Sequence, residues 1–242
     1  LSDRDIKPWK GEFDVREGLT ERGHDVAVLG VDDDLGAVAA AVEEVRPHVV
    51  FNLLEEFARE PSFVAYLLGY FEMLGQAYTG CDPVGLLYAA DKARQQRALR
   101  QHRIPTPGFF EVPRGAGGKE VRVRRPERMG FPLIVKSQTS HGSVGITQAS
   151  VVHDEESLAD RVAFVHEQLR TDAIVERYID GRELYIGVMG NQRLETFPVW
   201  ELRLENLPAG APFVATEKVK WDLAYQERVG LETGPALGLP EG

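Results

Sequence analysis

The residues best suited to chemistry lie in one stretch, Phe131–Ile146, which begins as a short apolar run and then reaches Lys136. Such a run is typical of a buried strand, and an ammonium group at its end is costly to bury unless a counter-charge meets it. Small, hydroxylated and glycine residues follow the lysine. A cation beside a pliable loop with free N–H groups suits a polyphosphate. The alternative is a strand that ends in a solvated lysine before an ordinary surface loop.

Other charged residues are placed where they could serve the same ligand. Lys92 follows Asp91, the expected N-cap of a polar helix at 91–102, so it lies where the helix dipole disfavours a cation. Glu176 and Glu183 flank a turn between two strand-like runs, and Lys220 comes later in the chain. These residues are either parts of one site or ordinary solvated charges.

His141 lies within the glycine- and serine-rich segment. It could act as a catalytic base, but a solvated or phosphate-contacting histidine is the more common situation in such a loop. Several familiar sites are absent from the sequence: the P-loop, the dinucleotide glycine fingerprint, the HExxH pair and the GxSxG elbow. One cysteine also excludes a multi-cysteine zinc site.

Composition limits the class of protein. An apolar fraction of 43% supports a real core in one large or two smaller domains. The net charge of −10 argues against a nucleic-acid partner. Cys81 is the single cysteine, which excludes an intrachain disulfide and suits a reducing compartment. No apolar run approaches the ~20 residues needed to span a bilayer, and there is no signal peptide, so we expect a soluble cytoplasmic protein.

The positioning elements are predicted from hydrophobic periodicity. In the first third of the chain we expect strands at 26–31, 49–54 and 77–79 and helices at 12–22, 35–46 and 62–74. Strands that alternate with helices imply a parallel sheet, and such sheets bind ligands beyond the carboxyl ends of their strands. Asn52, Glu55 and Glu56 lie at that edge, as functional or as ordinary loop residues. Later, Asp154 caps a helix that runs to about Leu169, and strands flank the turn at Asp180–Gly181.

An ordered series of motifs resembles the ATP-grasp ligases close to D-alanine–D-alanine ligase. It consists of Tyr78–Pro83, Ala90-Asp91-Lys92, Ile104–Pro107, Ile134-Val135-Lys136 with Gly142–Gly145, and Val175–Ile179 with Asp180–Glu183. The resemblance covers nearly the whole chain. It implies an α/β ATP-grasp fold with an N-terminal doubly wound parallel sheet at 1–89, a small central lid domain at 90–184, and the start of a C-terminal antiparallel subdomain at 185–242.

The resemblance also implies the residues that contact ATP: Lys92, Lys136, Gly142, Ser143, Val144, Glu176, Ile179, Glu183 and Lys220. The three lysines would contact the phosphates, and the loop at 139–145 would fold over the triphosphate. Phosphates require cations and N–H donors, and a ribose diol requires a carboxylate acceptor.

The two carboxylates have separate implied roles. Glu176 and the Ile179 backbone would hold the adenine, and Glu183 would hold the ribose hydroxyls. For Glu183 the structural alternative is a salt bridge with Arg177 or Arg182.

The implied reaction is attack of a substrate carboxylate on the γ-phosphate, followed by displacement of phosphate from the acyl phosphate by an amine. ATP and Mg²⁺ are the implied cofactors, and amino-acid-like carboxylates and amines are the implied substrates. The sequence leaves a homodimer open. The family's metal ligands and arginine are expected beyond Gly242; Glu201 and Glu205 are candidates by proximity alone and are not assigned.

The sequence departs from the ligase pattern at several positions. Residues 54–60 replace its His-Gly and Gly-Glu-Asp-Gly elements, and Gly142 and Trp221 replace a serine and a tyrosine that orient its first amino acid. A pocket that loses polar contacts changes what it accepts, so we hypothesise a carboxylate–amine ligase that does not make D-alanyl-D-alanine. The alternatives are D-alanine–D-alanine ligase itself, a nucleotide-binding module without ligase activity, and a structural protein that has lost ATP affinity.

Overall fold

The computed structural model describes residues 9–115 and 123–239. The chain divides after Ala90 into two compact units. Each of the three predicted domains includes a segment outside the described residues: 1–8 in the domain 1–89, 116–122 in 90–184, and 240–242 in 185–242. Within the described part, no helix is long and apolar enough to cross a membrane.

The first unit is built mainly from helices. They are α1 (Lys10–Glu21), α2 (Leu35–Val45), a 3₁₀ turn (Pro61–Phe63), α3 (Val64–Leu74) and α4 (Pro83–Ala89). Asp34 and Asp82 cap α2 and α4, each accepting a backbone N–H with its carboxylate. Apolar residues of α2 and α3 and Phe57 form the core of this unit, which confirms the apolar faces predicted for 35–46 and 62–74.

The predicted strands of this unit are not formed as continuous ladders. Among its described residues, parallel pairing is confined to the bridge between Val50 and Tyr78. Asn52 N continues that contact by donating to Thr79 Oγ1 at 3.0 Å. In the run 26–31, Val28 is 74% exposed. An apolar run forms a strand only where a neighbour supplies hydrogen bonds, and hydrophobic periodicity does not report that neighbour.

The second unit contains a four-stranded antiparallel sheet. Its strands are β1 (Phe109–Val112), β2 (Leu133–Ser137), β3 (Val151–Val152) and β4 (Ala173–Arg177), in the order β1-β4-β2-β3. Helix α5 (Lys92–Gln101) precedes the sheet. Helix α6 (Glu155–Phe164) follows β3 and continues as a π turn to Leu169. Asp91 and Asp154 cap these helices, as predicted.

A smaller antiparallel region completes the second unit. Strands β5 (Glu183–Tyr185), β8 (Trp200–Leu204) and β9 (Leu231–Pro235) form one sheet, and β6 (Val188–Met189) pairs with β7 (Glu195–Thr196). Helices α7 (Glu217–Trp221) and α8 (Leu223–Val229) pack near β8 and β9. The strands on either side of the Asp180–Gly181 turn are formed, but β4 and β5 lie in different sheets because β5 pairs with β8.

Candidate functional site

The four-stranded sheet has one apolar face that packs in the core and an opposite face that carries charged side chains. Leu133 and Val135 of β2 lie in the apolar cluster that includes residues of α6. Successive side chains of a strand point to opposite faces, so Ile134 and Lys136 lie on the other side. Glu176 of β4 lies opposite Ile134 in the register and shares that face. The sheet therefore presents a lysine and a glutamate on the face away from its core.

Lys136 and Glu176 form a largely buried ion pair. Lys136 Nζ lies 2.6 Å from Glu176 Oε2, and the Glu176 side chain is 7% exposed. Gln96 Nε2 donates to the other carboxylate oxygen, also at 2.6 Å. Both oxygens of the buried glutamate therefore have partners, one from Lys136 and the other from Gln96 of α5.

A second lysine approaches from α5. Lys92 is the first residue of this helix, and its backbone N donates to Gln138 O at 3.1 Å. Its Nζ donates to Ser140 O at 2.5 Å. Burial lowers the pKa of the Lys92 ammonium to about 8, and the positive charge of Lys136 adds to this effect. Two cations held this close to each other favour an anionic ligand.

The loop after β2 turns on residues with positive φ. Gly142, Ser143 and Gly145 have φ of +63°, +61° and +70°. A Cβ at position 145 would lie 2.7 Å from Leu169 Cδ1, so glycine is required there for its conformation and for its close packing. The loop therefore follows the sheet in a compact turn.

Helix α7 and the buried Arg161 hold this loop. Glu217 Oε2 accepts the Gly145 N–H at 2.7 Å, and the Glu217 N–H donates to Ile146 O at 3.0 Å. Trp221 Nε1 donates to Gly142 O at 3.0 Å, and the Arg161 guanidinium donates to Gly145 O. Both ends of the turn are thus fixed by residues far away in sequence.

Glu183 begins β5 and has no cationic partner among the described residues. Arg182 pairs instead with Glu201, its Nε and Nη2 lying 2.6 and 2.7 Å from the two carboxylate oxygens. This pairing lowers the pKa of the Glu201 carboxyl. The hydroxyl of Tyr185 donates to Glu183 Oε1. The salt bridge with Arg177 or Arg182, considered as the structural alternative for Glu183, is therefore not formed.

One cavity of about 460 Å³ collects the predicted residues. All of them line it: Lys92, Lys136, Gly142, Ser143, Val144, Glu176, Ile179, Glu183 and Lys220. His141 lines it too, together with apolar residues such as Ile134 and Val214. Glu201 and Glu205 do not. The cavity thus combines three lysines, two carboxylates and an apolar wall within the second unit.

Sequence reasoning missed several residues that support this cavity. Gln96, Tyr185 and Glu217 each bond a cavity residue or its loop. For Gln96 a signal existed, because it lies four positions after Lys92 and so on the same helical face. For Glu217 no local signal exists, since its partner Gly145 is 72 positions away.

A resident metal centre is not supported by the described residues. Within them, no group of three or more histidine, cysteine, aspartate or glutamate residues could hold a metal ion. Glu201, a candidate only by proximity, is paired with Arg182 through both of its carboxylate oxygens and does not line the cavity. Within the described residues, the cavity offers three lysines to an anionic ligand.

Comparisons with known proteins show which proteins the chain is similar to. Residues 99–213 match the family model described as D-ala D-ala ligase C-terminus. A D-alanine–D-alanine ligase of Bordetella pertussis is 34% identical over 191 residues, covering 78% of this chain and 55% of the relative. This chain resembles the D-alanine–D-alanine ligases, and the match to the family model lies mainly in its second unit.

Further relatives extend the resemblance. An uncharacterized protein, y4sG, of Sinorhizobium fredii is 33% identical over 208 residues, covering 82% of this chain and 58% of the relative. The crystal structure of a D-alanine–D-alanine ligase from Bacillus anthracis superposes with a TM-score of 0.64 at 18% identity, covering 99% of this chain and 69% of that structure. The fold is therefore the ATP-grasp fold, as expected from the sequence. The chain spans about three fifths of the length of the curated relatives that it matches.

Proposed function

We propose that this ATP-grasp chain binds ATP in the cavity of its second unit and serves an ATP-dependent carboxylate–amine ligase. The convergence of Lys92, Lys136 and Lys220 on one cavity is the observation that supports the proposal most strongly. A triphosphate carries several negative charges, and charge-assisted hydrogen bonds from lysines to phosphate are among the stronger polar contacts in proteins. In a partly buried cavity these contacts are weakened less by solvent than on an open surface.

The remaining cavity residues suit the other parts of the nucleotide. Residues 142–144 would close over the phosphates, and Ile179 and Ile134 supply apolar surface for a base. Glu176 retains one lone pair on each oxygen after bonding Lys136 and Gln96, so it can accept an adenine amine. Glu183, which has no cationic partner among the described residues, can accept the ribose hydroxyls.

The proposed reaction joins a carboxylate to an amine in two steps. The substrate carboxylate attacks the γ-phosphorus of ATP, and the bond from that phosphorus to the β-γ bridging oxygen breaks. ADP departs with the bonding electron pair, and the substrate becomes an acyl phosphate. The amine then attacks the acyl carbon, phosphate departs with the bonding electron pair, and an amide remains after loss of a proton. The lysines hold the phosphates in line and offset the charge that develops on ADP.

Magnesium belongs to the proposal only through the nucleotide. Mg²⁺ is usually held by one or two carboxylates together with substrate phosphates, and the described residues provide no dedicated cluster. We therefore assign no metal ligand among the described residues. Amino-acid-like substrates are proposed from the resemblance, and a product other than D-alanyl-D-alanine is proposed because Gly142 and Trp221 replace two polar side chains of the ligase. A cytoplasmic location is proposed from the resemblance, and the single cysteine of the sequence is compatible with a reducing compartment.

Nucleotide binding is tested by calorimetry with a matched pair of variants on α7. Lys220 lines the cavity, whereas Lys218 lies two residues earlier, is exposed and does not line it. We expect Lys220→Met to weaken ATP binding by about tenfold or more and Lys218→Met to change it by less than about twofold. Equal effects of the two substitutions, or no ATP binding by the wild type, would overturn the proposal.

Ligation is tested by incubating the full-length protein with ATP and a panel of amino acids and dipeptides and measuring the inorganic phosphate that is released from ATP. Turnover with a carboxylate and an amine supports the ligase. Robust turnover of D-alanine alone would show D-alanine–D-alanine ligase instead. ATP binding without phosphate release under any pairing would favour the nucleotide-binding module instead.

A further inference from the structure

Glu183 has an unusual environment for a carboxylate that lines a cavity. Arg182, the cation next to it in sequence, forms a bidentate ion pair with Glu201. Within residues 9–115 and 123–239, no lysine or arginine lies within salt-bridge distance of Glu183. A carboxylate without a cation keeps its lone pairs for neutral donors such as hydroxyl groups.

Tyr185 supplies one such donor from within the protein. Glu183 and Tyr185 are two positions apart in β5, and strand alternation places both side chains on one face of the small sheet. Their register partners in β8, Leu202 and Trp200, are also two positions apart. The Tyr185 hydroxyl donates to Glu183 Oε1. Tyr185 does not itself line the cavity, so its contact with a ligand there would act through Glu183.

The Tyr185 hydroxyl is a permanent donor. Burial and the hydrogen bond to Glu183 raise the pKa of the phenol above its ordinary value. The hydroxyl therefore keeps its proton throughout the pH range in which enzymes are assayed, and it occupies one oxygen of Glu183 at every pH in that range. The second oxygen, Oε2, has no hydrogen-bond partner among the described residues, so it keeps both lone pairs for a ligand.

We propose that Tyr185 is a positioning residue that orients the Glu183 carboxylate toward the hydroxyls of a ribose, and that it sets the preference of the cavity for ribonucleotides. This inference rests on the proposed function, since it assumes that a nucleotide occupies the cavity. It goes further because it assigns nucleotide selectivity to a residue outside the cavity wall. A carboxylate held in one rotamer loses less conformational entropy when it bonds a vicinal diol, and the Tyr185 hydrogen bond restrains the Glu183 rotamer in this way.

The test compares ATP with 2′,3′-dideoxy-ATP, which lacks both ribose hydroxyls. Dissociation constants are measured by calorimetry for the wild type, Tyr185→Phe and Glu183→Gln. Tyr225→Phe serves as the matched control, because Tyr225 lies in α8 and does not line the cavity. Thermal unfolding of each variant checks that the fold is retained; Tyr185 is 42% exposed, so loss of its hydroxyl should not disrupt packing.

We expect the wild type to bind ATP about tenfold more tightly than dideoxy-ATP, and Tyr185→Phe to reduce that ratio to about threefold or less, by weakening ATP binding alone. Glu183→Gln should reduce the ratio to a similar extent or further, and Tyr225→Phe should leave it unchanged. A wild-type ratio near one overturns the role of Glu183 in the proposed function and this inference with it. Two results overturn only the inference about Tyr185. In the first, the wild type prefers ATP strongly and Tyr185→Phe keeps that preference; in the second, Tyr185→Phe loses the same affinity for both nucleotides.

Discussion

Lys136 of β2 and Glu176 of β4 form a diagonal ion pair across adjacent strands, with 2.6 Å between Nζ and Oε2. The side chains are only 27% and 7% exposed. Removing one member of such a pair leaves an uncompensated charge away from water, which is far more costly than losing a surface salt bridge. The pair is completed by Gln96, so three residues from three elements form one polar network in the cavity wall.

The first prediction concerns the support that Gln96 gives to this network. Replacement of Gln96 by leucine leaves Glu176 Oε1 buried without its donor, and we expect the free energy of unfolding to fall by about 1–3 kcal/mol. Gln95→Leu, at the exposed neighbouring position, should change it by less than about 0.5 kcal/mol. Urea unfolding of the two variants measures the difference. Equal stabilities would mean that the hydrogen bond to Glu176 contributes nothing net.

The second prediction is a pH dependence of ATP binding. The pKa of Lys92 is lowered to about 8, first by burial and then by the charge of Lys136. The ammonium is therefore charged below this pH and neutral above it, so ATP affinity should fall as the pH rises through about 8. Lys92→Arg should flatten the profile because arginine stays charged. Calorimetry from pH 6.5 to 9.5 is the measurement, and identical profiles for the two proteins would contradict the assignment.

The same pKa predicts the opposite trend for stability without nucleotide. A lysine in the unfolded chain keeps its proton up to about its ordinary pKa of 10.5. Between about 8 and 10.5 the unfolded chain therefore binds more protons at this position than the folded one. The contribution of Lys92 to the free energy of unfolding rises with pH in this window. The difference in stability between the wild type and Lys92→Met, followed across that window, isolates the contribution of this side chain.

The third prediction concerns the loop at Gly145. Alanine there must adopt φ near +70° and place its Cβ 2.7 Å from Leu169 Cδ1, so we expect destabilisation by about 2–4 kcal/mol together with weaker ATP binding. Gly108→Ala, where no atom lies within 4 Å of the added Cβ and φ is not positive, should stay within about 1 kcal/mol of the wild type. Combining Gly145→Ala with Leu169→Ala relieves the close contact but not the backbone strain. A Gly145→Ala variant as stable as Gly108→Ala would rule out this account of the loop.

The fourth prediction uses Trp221 as a reporter of the same loop. Its indole N–H bonds Gly142 O at 3.0 Å, and its side chain is 64% exposed. Any rearrangement of the loop on binding ATP should therefore alter its fluorescence. We expect Trp221→Phe to lose the ATP-dependent change, to weaken ATP binding a few-fold and to cost less than about 1 kcal/mol of stability. Trp200→Phe is the control and should retain the ATP-dependent fluorescence change. If Trp200→Phe abolishes the change and Trp221→Phe does not, Trp221 is not its source.

The sequence by itself determined the local elements and the chemical character of the site. Asp91 and Asp154 mark helix starts because their carboxylates accept free backbone N–H groups, an effect contained within four residues. Alternation in β2 separates Leu133 and Val135 from Lys136 without reference to the rest of the chain. The likeness of the motif series to D-alanine–D-alanine ligase further named the residues that line the cavity.

Only the tertiary structure decided how those residues are partnered. Gln96 and Glu176 are 80 positions apart, and Gly145 and Glu217 are 72 apart, so no local pattern reports either contact. The structure also decided that β4 and β5 lie in different sheets and that residues 26–31 form no ladder. A strand forms only beside a partner strand, and hydrophobic periodicity does not reveal which segment that partner is. Side-chain chemistry and local conformation are properties of short segments, whereas ion pairs, loop contacts and strand partners are properties of the packed chain.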